Sequence, residues 1–137
     1  MRIKGSEAQS YISQVYEAVV NNPQWFAGKP SILCGDLNSN KMWDEEGETG
    51  SHSALVSLLE KHSLISAYHY FFSERQGAET RPTHYSSRWK RGYHIDYVFL
   101  PRRWASPIKS VEVGKHGDWS NLSDHVPLCV EVTLPTV

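Results

Sequence analysis

Three short apolar runs, each with polar residues at one end, constrain the fold of this chain more than any other feature. Asp36 and Asn38 follow the run 31–34, Asp96 lies near the start of the run 95–100, and Asp124-His125 precedes the run 126–133. Short runs rich in β-branched and aromatic residues are typical of buried strands. A sheet that aligns these strands would hold the carboxylate, amide and imidazole groups at one edge.

The remaining pattern predicts an α+β layered fold with helices on one face of a sheet. Ser6-Glu7-Ala8-Gln9 has the form of a capping box, and the apolar stripe that follows predicts a helix ending before Pro23. A second helix is expected to begin after Ser51 or Ser53 and to end near His62. Strands are predicted at 31–36, 64–68, 95–100, 108–113 and 126–133, all within one domain spanning residues 1–137.

Composition limits the classes of protein that fit. The 137 residues are enough for one domain with its own core, and no stretch approaches the length of a membrane span. The start of the chain lacks the apolar centre of a signal peptide, so a cytoplasmic location is the default expectation. Cys34 and Cys129 lie inside apolar runs and are predicted to be small buried side chains, outside any disulfide or metal site.

Charge is balanced overall but uneven along the chain. The formal net charge of −1 gives no global signature of a nucleic-acid-binding protein. The segment 75–103 nevertheless holds seven of the 14 Lys and Arg residues and only two acidic residues, so it could face a phosphate-rich ligand or be an ordinary solvated loop. Within it, Trp89, Tyr93 and the neighbouring basic residues could form a stacking rim, although plain packing explains them equally well.

The polar residues of the three runs have alternative explanations. On an extended segment Asp36 and Asn38 would project the same way, whereas in a turn they would bond the local backbone. Asp96 sits in a run fit for burial and needs a partner, which could be a backbone amide, Arg91 or another side chain. A serine-hydrolase relay is excluded because adjacent Ser, Asp and His residues cannot reach its geometry.

Taken in order, Gly35-Asp36-Leu37-Asn38, His94-Ile95-Asp96 and Ser123-Asp124-His125 resemble the endonuclease/exonuclease/phosphatase superfamily, the deoxyribonuclease I-like metal-dependent phosphoesterases. The resemblance implies that Asp36 orients or deprotonates the attacking water and that Asn38 and His125 contact the phosphate. It implies that Asp96 orients His125, and that Asp124 and Asp36 help to hold Mg²⁺ or Mn²⁺. Arg91 is a candidate substrate contact.

The five other histidines lack paired metal-ligand spacing and are predicted to be surface or satisfied interior residues; they are His52, His62, His69, His84 and His116.

Complete members of that superfamily are nearly twice as long, so the chain resembles their carboxy-terminal half, one half of a four-layer α/β/β/α fold. The half that carries the principal metal-binding Glu has no counterpart in the sequence. We therefore expect a phosphoesterase, with a slight preference for nuclease activity, that is weak or inactive alone. The alternative is a non-catalytic half-domain that dimerises or pairs with a separate half. The uncovered sheet face is expected to be completed in a homodimer.

Overall fold

The computed structural model describes residues 10–134, which form a mixed α/β fold. The helices are α1 (Tyr11–Asn21), α2 (His52–Lys61), α3 (Ala67–Phe72) and α4 (His116–Trp119), with 3-10 turns at Pro23–Phe26, Lys41–Trp43 and Arg102–Trp104. The strands are β1 (Leu33–Asp36), β2 (Leu64–Ser66), β3 (His84–Ser86), β4 (Arg91–Tyr93), β5 (Asp96–Pro101), β6 (Ile108–Val113) and β7 (Leu128–Val132).

Both predicted long helices are present, and local side chains set where they begin. Ser10 caps α1 by accepting a hydrogen bond from the backbone N–H of Ser13. The capping box at 6–9 lies outside the described residues. Ser51 caps α2 in the same way through the N–H of Ala54. No helix between residues 10 and 134 combines the length and the apolar character needed to cross a bilayer.

All strand pairing in the described chain is antiparallel, and it is divided among three small sheets. The largest has the order β1-β5-β2, and the other two are the pairs β3-β4 and β6-β7. The single layered sheet expected from the sequence is therefore replaced by separate short ones. Strand pairing between β3 and the segment before β7 is limited to one isolated antiparallel bridge, which joins His84 and His125.

The two faces of β5 serve different purposes because successive side chains of a strand point to opposite sides. Tyr97 and Phe99 are 1% exposed and join the core, where Leu55 and Leu59 of α2 are fully buried. Asp96 points to the opposite face. The helices thus cover one side of the β1-β5-β2 sheet, and the strand that anchors the core also carries a carboxylate on its other side.

Two local predictions were wrong. The predicted strand 64–68 ends at Ser66, whose side chain caps α3, so that Tyr68 is a fully buried helical residue. Cys34 and Cys129 are both exposed. The apolar runs were identified correctly as strands, but each cysteine lies on the strand face that the core does not cover.

Candidate functional site

Two carboxylates meet where β1 and β5 pair. Asp36 ends β1 and lies directly opposite Asp96, the first residue of β5. The side chain of Asp36 is 46% exposed and that of Asp96 is 20% exposed. Like charges in opposed positions of an antiparallel pair repel each other, so this corner of the sheet favours a positive group between them.

His125 reaches this corner of the sheet from a distant part of the chain. Its Nδ1 lies 2.9 Å from Oδ2 of Asp96, and its Nε2 lies 3.8 Å from Oδ2 of Asp36. A carboxylate can only accept a hydrogen bond, so Nδ1 carries the hydrogen and the imidazole tautomer is fixed. Nε2 is left facing the half-exposed Asp36. We call Asp36, Asp96 and His125 the open site.

Thr83 joins two of the three segments that form the open site. Its hydroxyl oxygen accepts from the backbone N–H groups of Ile95 (3.0 Å) and Asp96 (3.1 Å), and its carbonyl accepts from the N–H of Val126 at 2.8 Å. Thr83 is fully buried. One side chain therefore fixes the start of β5 relative to the segment that carries His125, a role that the sequence analysis missed.

Asn38 adopts a conformation different from the extended one considered for it. Its φ of 45° lies in the left-handed region, and its backbone N–H donates to Oδ1 of Asp36 at 2.7 Å. This is the local turn that the sequence left as the alternative. The turn holds Oδ1 of Asp36 and leaves Oδ2 directed to His125, while the Asn38 residue remains exposed beside it.

Asp124 is 69% exposed and has a neighbour that the sequence analysis had set aside. His84 places its Nε2 3.2 Å from Oδ2 of Asp124, and the His84 and His125 rings are 4.7 Å apart. Burial alone would raise the pKa of Asp124, but the hydrogen bond and charge of His84, its own backbone and the charge of His125 lower it. His84 therefore belongs to the site region. Its position depends on pairing between distant strands, which spacing in sequence does not reveal.

The described residues include two groups of side chains whose ligand atoms lie within 4.8 Å of one another. One contains Asp36, Asp96 and His125, and the other contains His84, Asp124 and His125. Carboxylate oxygens suit Mg²⁺ and Mn²⁺, and imidazole nitrogens suit the softer divalent metals. The donor set therefore fits a divalent cation. The predicted ligands Asp36 and Asp124 fall in different groups that share His125.

Arg91 begins β4, is exposed and holds its guanidinium carbon 5.3 Å from the centre of the Tyr93 ring. The carboxylate of Asp96 is bonded to His125, so the Asp96–Arg91 pairing considered from the sequence gives way to the Asp96–His125 pair.

A second polar cluster lies inside the protein, behind the loop that follows Asn38. Glu79, with a side chain only 3% exposed, accepts from Nε2 of His69 at 2.8 Å and from Nδ2 of Asn40 at 3.1 Å. Gln76 joins His69 to His52, whose other ring nitrogen contacts Ser39. We call this cluster of Ser39, Asn40, His52, His69, Gln76 and Glu79 the interior network.

Burial and hydrogen bonding shift the pKa values of the interior network and of its neighbour His94. Burial raises the pKa of Glu79, but hydrogen bonds from His69, Gly77 and Asn40 outweigh it and lower the pKa to about 2. Burial lowers the pKa of His52 and also that of the adjacent His94. Nδ1 of His94 donates to the carbonyl of Arg81 at 2.8 Å, while its Nε2 is buried without a partner.

Comparisons with known proteins give a structural likeness and no family assignment. No protein-family model matches the sequence, and no curated protein matches it. A solved structure of a 3'-5' exonuclease (NExo) from Neisseria meningitidis superposes with a TM-score of 0.64 at 19% identity. The match covers 88% of this chain and 53% of that one, so the chain spans about half the length of this neighbour. Likeness at this identity shows a shared fold.

Proposed function

We propose that this chain is a divalent-metal-dependent phosphoesterase of the deoxyribonuclease I-like type, acting on the phosphodiester bonds of nucleic acid. The observation that carries the proposal is the imidazole of His125, held at 2.9 Å by Asp96 with its free nitrogen turned to Asp36. The nuclease-like fold shared with a 3'-5' exonuclease supports the choice of nucleic acid over other phosphoesters.

Each residue of the open site has a role in the proposed hydrolysis. A water molecule attacks phosphorus while Asp36 takes its proton, and the bond from phosphorus to the leaving oxygen breaks. Nε2 of His125, when it carries a proton, donates to a phosphoryl oxygen. Asp96 accepts from Nδ1–H and so holds the imidazole with Nε2 free for the phosphate, and Asn38 offers its exposed amide to the phosphate. The leaving oxygen takes a proton from solvent.

A divalent cation would be held by Asp36 with help from Asp124, which belong to the two groups of possible ligands that share His125. When bound, it would neutralise charge that develops on the phosphoryl oxygens. These carboxylates are 46% and 69% exposed, and an exposed pair of this kind binds hard cations weakly unless further oxygen ligands contribute. Weak metal affinity and slow turnover are therefore part of the proposal.

Hydrolysis of bis(p-nitrophenyl) phosphate, together with calorimetric titration of Mn²⁺, tests this function. The wild-type chain is expected to show Mn²⁺-dependent hydrolysis, and Asp36→Asn and His125→Gln are each expected to reduce it about 100-fold or more. Glu131→Gln is the matched control, because Glu131 is an exposed carboxylate paired with Lys109 on the β6-β7 sheet. Wild-type protein that neither binds Mn²⁺ nor hydrolyses the diester would refute the proposal.

An uncovered apolar face favours a second function, assembly into a larger unit. Trp25 and Ile32 are 53% and 55% exposed, and they line an open groove together with Phe26, Leu33 and Cys34. β1, which contributes to this groove, is an edge strand of its sheet. Exposed apolar patches of this kind are normally covered by association. We propose that a second copy of the chain covers it in an isologous homodimer.

Light scattering coupled to size exclusion at micromolar concentration tests the assembly. A dimer is expected for the wild-type chain, and Ile32→Lys, which places a charge on the groove, is expected to give a monomer. A wild-type monomer would refute homodimerisation. If the dimer forms without Mn²⁺ binding or hydrolysis, the chain is the non-catalytic half-domain that the sequence left as the alternative.

A further inference from the structure

The β3-β4 hairpin extends from the open site and is basic and aromatic. Between Glu79 and Asp96 the sequence contains four Arg and Lys residues and no acidic residue. Of these four, Arg88 and Lys90 lie in the turn between β3 and β4, and Arg91 is the first residue of β4. Thr83, at the base of the hairpin, fixes it to β5 and to the segment carrying His125. A ligand held by the hairpin would therefore lie beside the reacting groups.

A series of aromatic rings runs from the open site along this hairpin. The His84 ring is 4.7 Å from that of His125, and His84 is the cross-strand partner of Tyr93. Cross-strand partners project from the same face of a hairpin, so Tyr93 continues the series. The Trp43 ring lies 5.3 Å from the Tyr93 ring. We call His125, His84, Tyr93 and Trp43 the aromatic ladder.

The outer end of the aromatic ladder is open to solvent. Trp43 is 41% exposed, and Trp89 at the hairpin turn is 59% exposed. The guanidinium carbon of Arg91 lies 5.3 Å from the Tyr93 ring, and that of Arg88 lies 4.9 Å from the Trp89 ring. An arginine stacked on a ring keeps its N–H edge free for phosphate oxygens. The hairpin and Trp43 therefore present aromatic rings with arginines beside them, and these arginines can donate to phosphate.

We propose that the aromatic ladder and the Arg88–Arg91 turn bind the unpaired bases of a single-stranded nucleic acid beside the scissile phosphate. This inference rests on the proposed nuclease function and specifies the form of its substrate. Bases inside a duplex are stacked on both faces, so only its terminal pairs could offer a face to Trp43 or Trp89. The basic turn matches the charge of a phosphodiester backbone, which distinguishes this surface from the neutral apolar groove at Trp25 and Ile32.

Fluorescence anisotropy in EDTA, where no metal-dependent cleavage occurs, measures the binding directly. The labelled ligands are a thymidine dodecamer, an abasic strand of the same length and a blunt duplex. The wild-type chain is expected to bind the dodecamer more tightly than the other two. Trp43→Ala and Trp89→Ala are each expected to weaken dodecamer binding about tenfold, while binding of the abasic strand stays within about twofold of wild type.

Tyr11→Ala removes an equally exposed aromatic residue on α1 and is expected to leave all three affinities unchanged. Trp43→Phe keeps a ring at the same position and is expected to recover most of the lost affinity, which excludes misfolding as the cause. If Trp43→Ala and Trp89→Ala bind the dodecamer as the wild type does, the inference is wrong. If they instead change the oligomeric state, the ladder is a protein interface and the inference is equally wrong.

The inference and the proposed function fail in different ways. Tryptophan-dependent binding of the dodecamer without Mn²⁺-dependent cleavage would refute the function and keep the binding surface. Cleavage of the dodecamer and of the duplex at equal rates, with no effect of Trp43→Ala, would keep the function and refute the binding surface.

Discussion

The open site and the interior network use the same kinds of side chain in opposite settings. Each pairs a histidine with a carboxylate at nearly the same distance, 2.9 Å for His125 and Asp96 and 2.8 Å for His69 and Glu79. The carboxylate of Glu79 also accepts from Asn40 and Gly77, and its side chain is 3% exposed. Asp36, beside His125, instead keeps one oxygen directed at solvent and imidazole, and 46% of its side chain is exposed.

The difference shows that the pairing of histidine with carboxylate does not by itself distinguish chemistry from structure. A cluster whose hydrogen-bonding groups are all satisfied inside the fold stabilises one conformation, because a broken member would leave buried groups unpaired. A cluster that keeps an exposed acceptor and a fixed imidazole nitrogen can receive a ligand. The interior network and the open site are thus expected to respond differently to mutation.

The largest expected effect is on activity, from Asp96→Asn. The neutral amide lacks the negative charge that accepts from Nδ1–H of His125, so the doubly protonated imidazole that would donate to phosphate loses its charged partner. Diester hydrolysis is expected to fall about 10²- to 10⁴-fold. The free energy of unfolding, measured in denaturant, is expected to stay within about 1 kcal/mol of the wild-type value. Normal activity in a folded Asp96→Asn protein would remove the distinction between the two clusters.

Low pH is expected to destabilise the fold through the interior network and its neighbour His94. In the unfolded chain His52 and His94 bind protons near pH 6.5, but burial lowers their pKa values in the fold, so the unfolded state gains protons first as the pH falls below that value. Glu79 acts in the same direction at lower pH. Its pKa is about 2 in the fold and 4.5 without the fold, so its stabilisation is present above pH 4.5 and is lost as the pH falls toward 2.

At about 1.4 kcal/mol per pKa unit, Glu79 contributes on the order of 3 kcal/mol to this acid dependence. Urea unfolding at a series of pH values measures it, with Glu79→Gln as the comparison. That variant is expected to be less stable at pH 7 and to lose less stability than the wild type between pH 4.5 and pH 3. An identical acid dependence in both proteins would show that Glu79 does not bear the charge we assign to it.

Thr83→Val tests the connection between the open site and the rest of the fold. Valine keeps the shape of the threonine side chain but leaves the buried N–H groups of Ile95 and Asp96 without an acceptor. The free energy of unfolding is therefore expected to fall by about 2 kcal/mol. Thr83→Ser retains the hydroxyl and is the matched control. Activity is expected to fall in the valine variant only, since the start of β5 carries Asp96. Equal stability of the two variants in chemical denaturation would contradict the role of the hydroxyl.

The smallest expected effect on stability is that of Asp124→Asn. Because the carboxylate is 69% exposed, its replacement is expected to change the free energy of unfolding by less than about 0.5 kcal/mol in EDTA. The increase in melting temperature on addition of Mn²⁺ is expected to be smaller than in the wild type. A large loss of stability without metal would place Asp124 among the structural residues with Glu79.

The parts of the molecule that follow from local sequence were predictable. A serine cap and an apolar stripe predicted α2, an apolar stripe predicted the described part of α1, and short apolar runs predicted β1, β5, β6 and β7 within a few residues. The cap of α1 at Ser10 was not predicted. The order of the acidic motifs singled out the residues that the strands bring together at the open site, although their roles stay predictions. These features depend on neighbours close in the chain or on the period of a strand.

The features that the sequence did not predict depend mainly on contacts between segments that are distant in the chain. Asn40 meets the carbonyl of His94 across 54 positions, and His84 meets Asp124 across 40, without any local pattern that marks either contact. The cysteines show a second limit, because an apolar run of four residues identifies a strand but not which of its faces the helices cover. Tyr68 shows a third, since an aromatic residue after a short strand fits a buried helix equally well.

The register of β1 against β5 has a consequence for tolerance to insertions and deletions. Deleting one residue inside β1 would shift the pairing on one side of the deletion, so that either Asp36 turns to the opposite side of the sheet or Leu33 leaves the core. Hydrophobic content and charge would hardly change, yet either the chemistry or the packing would be lost. Length variation in this protein is therefore expected to be confined to the loops, with these two strands fixed in length.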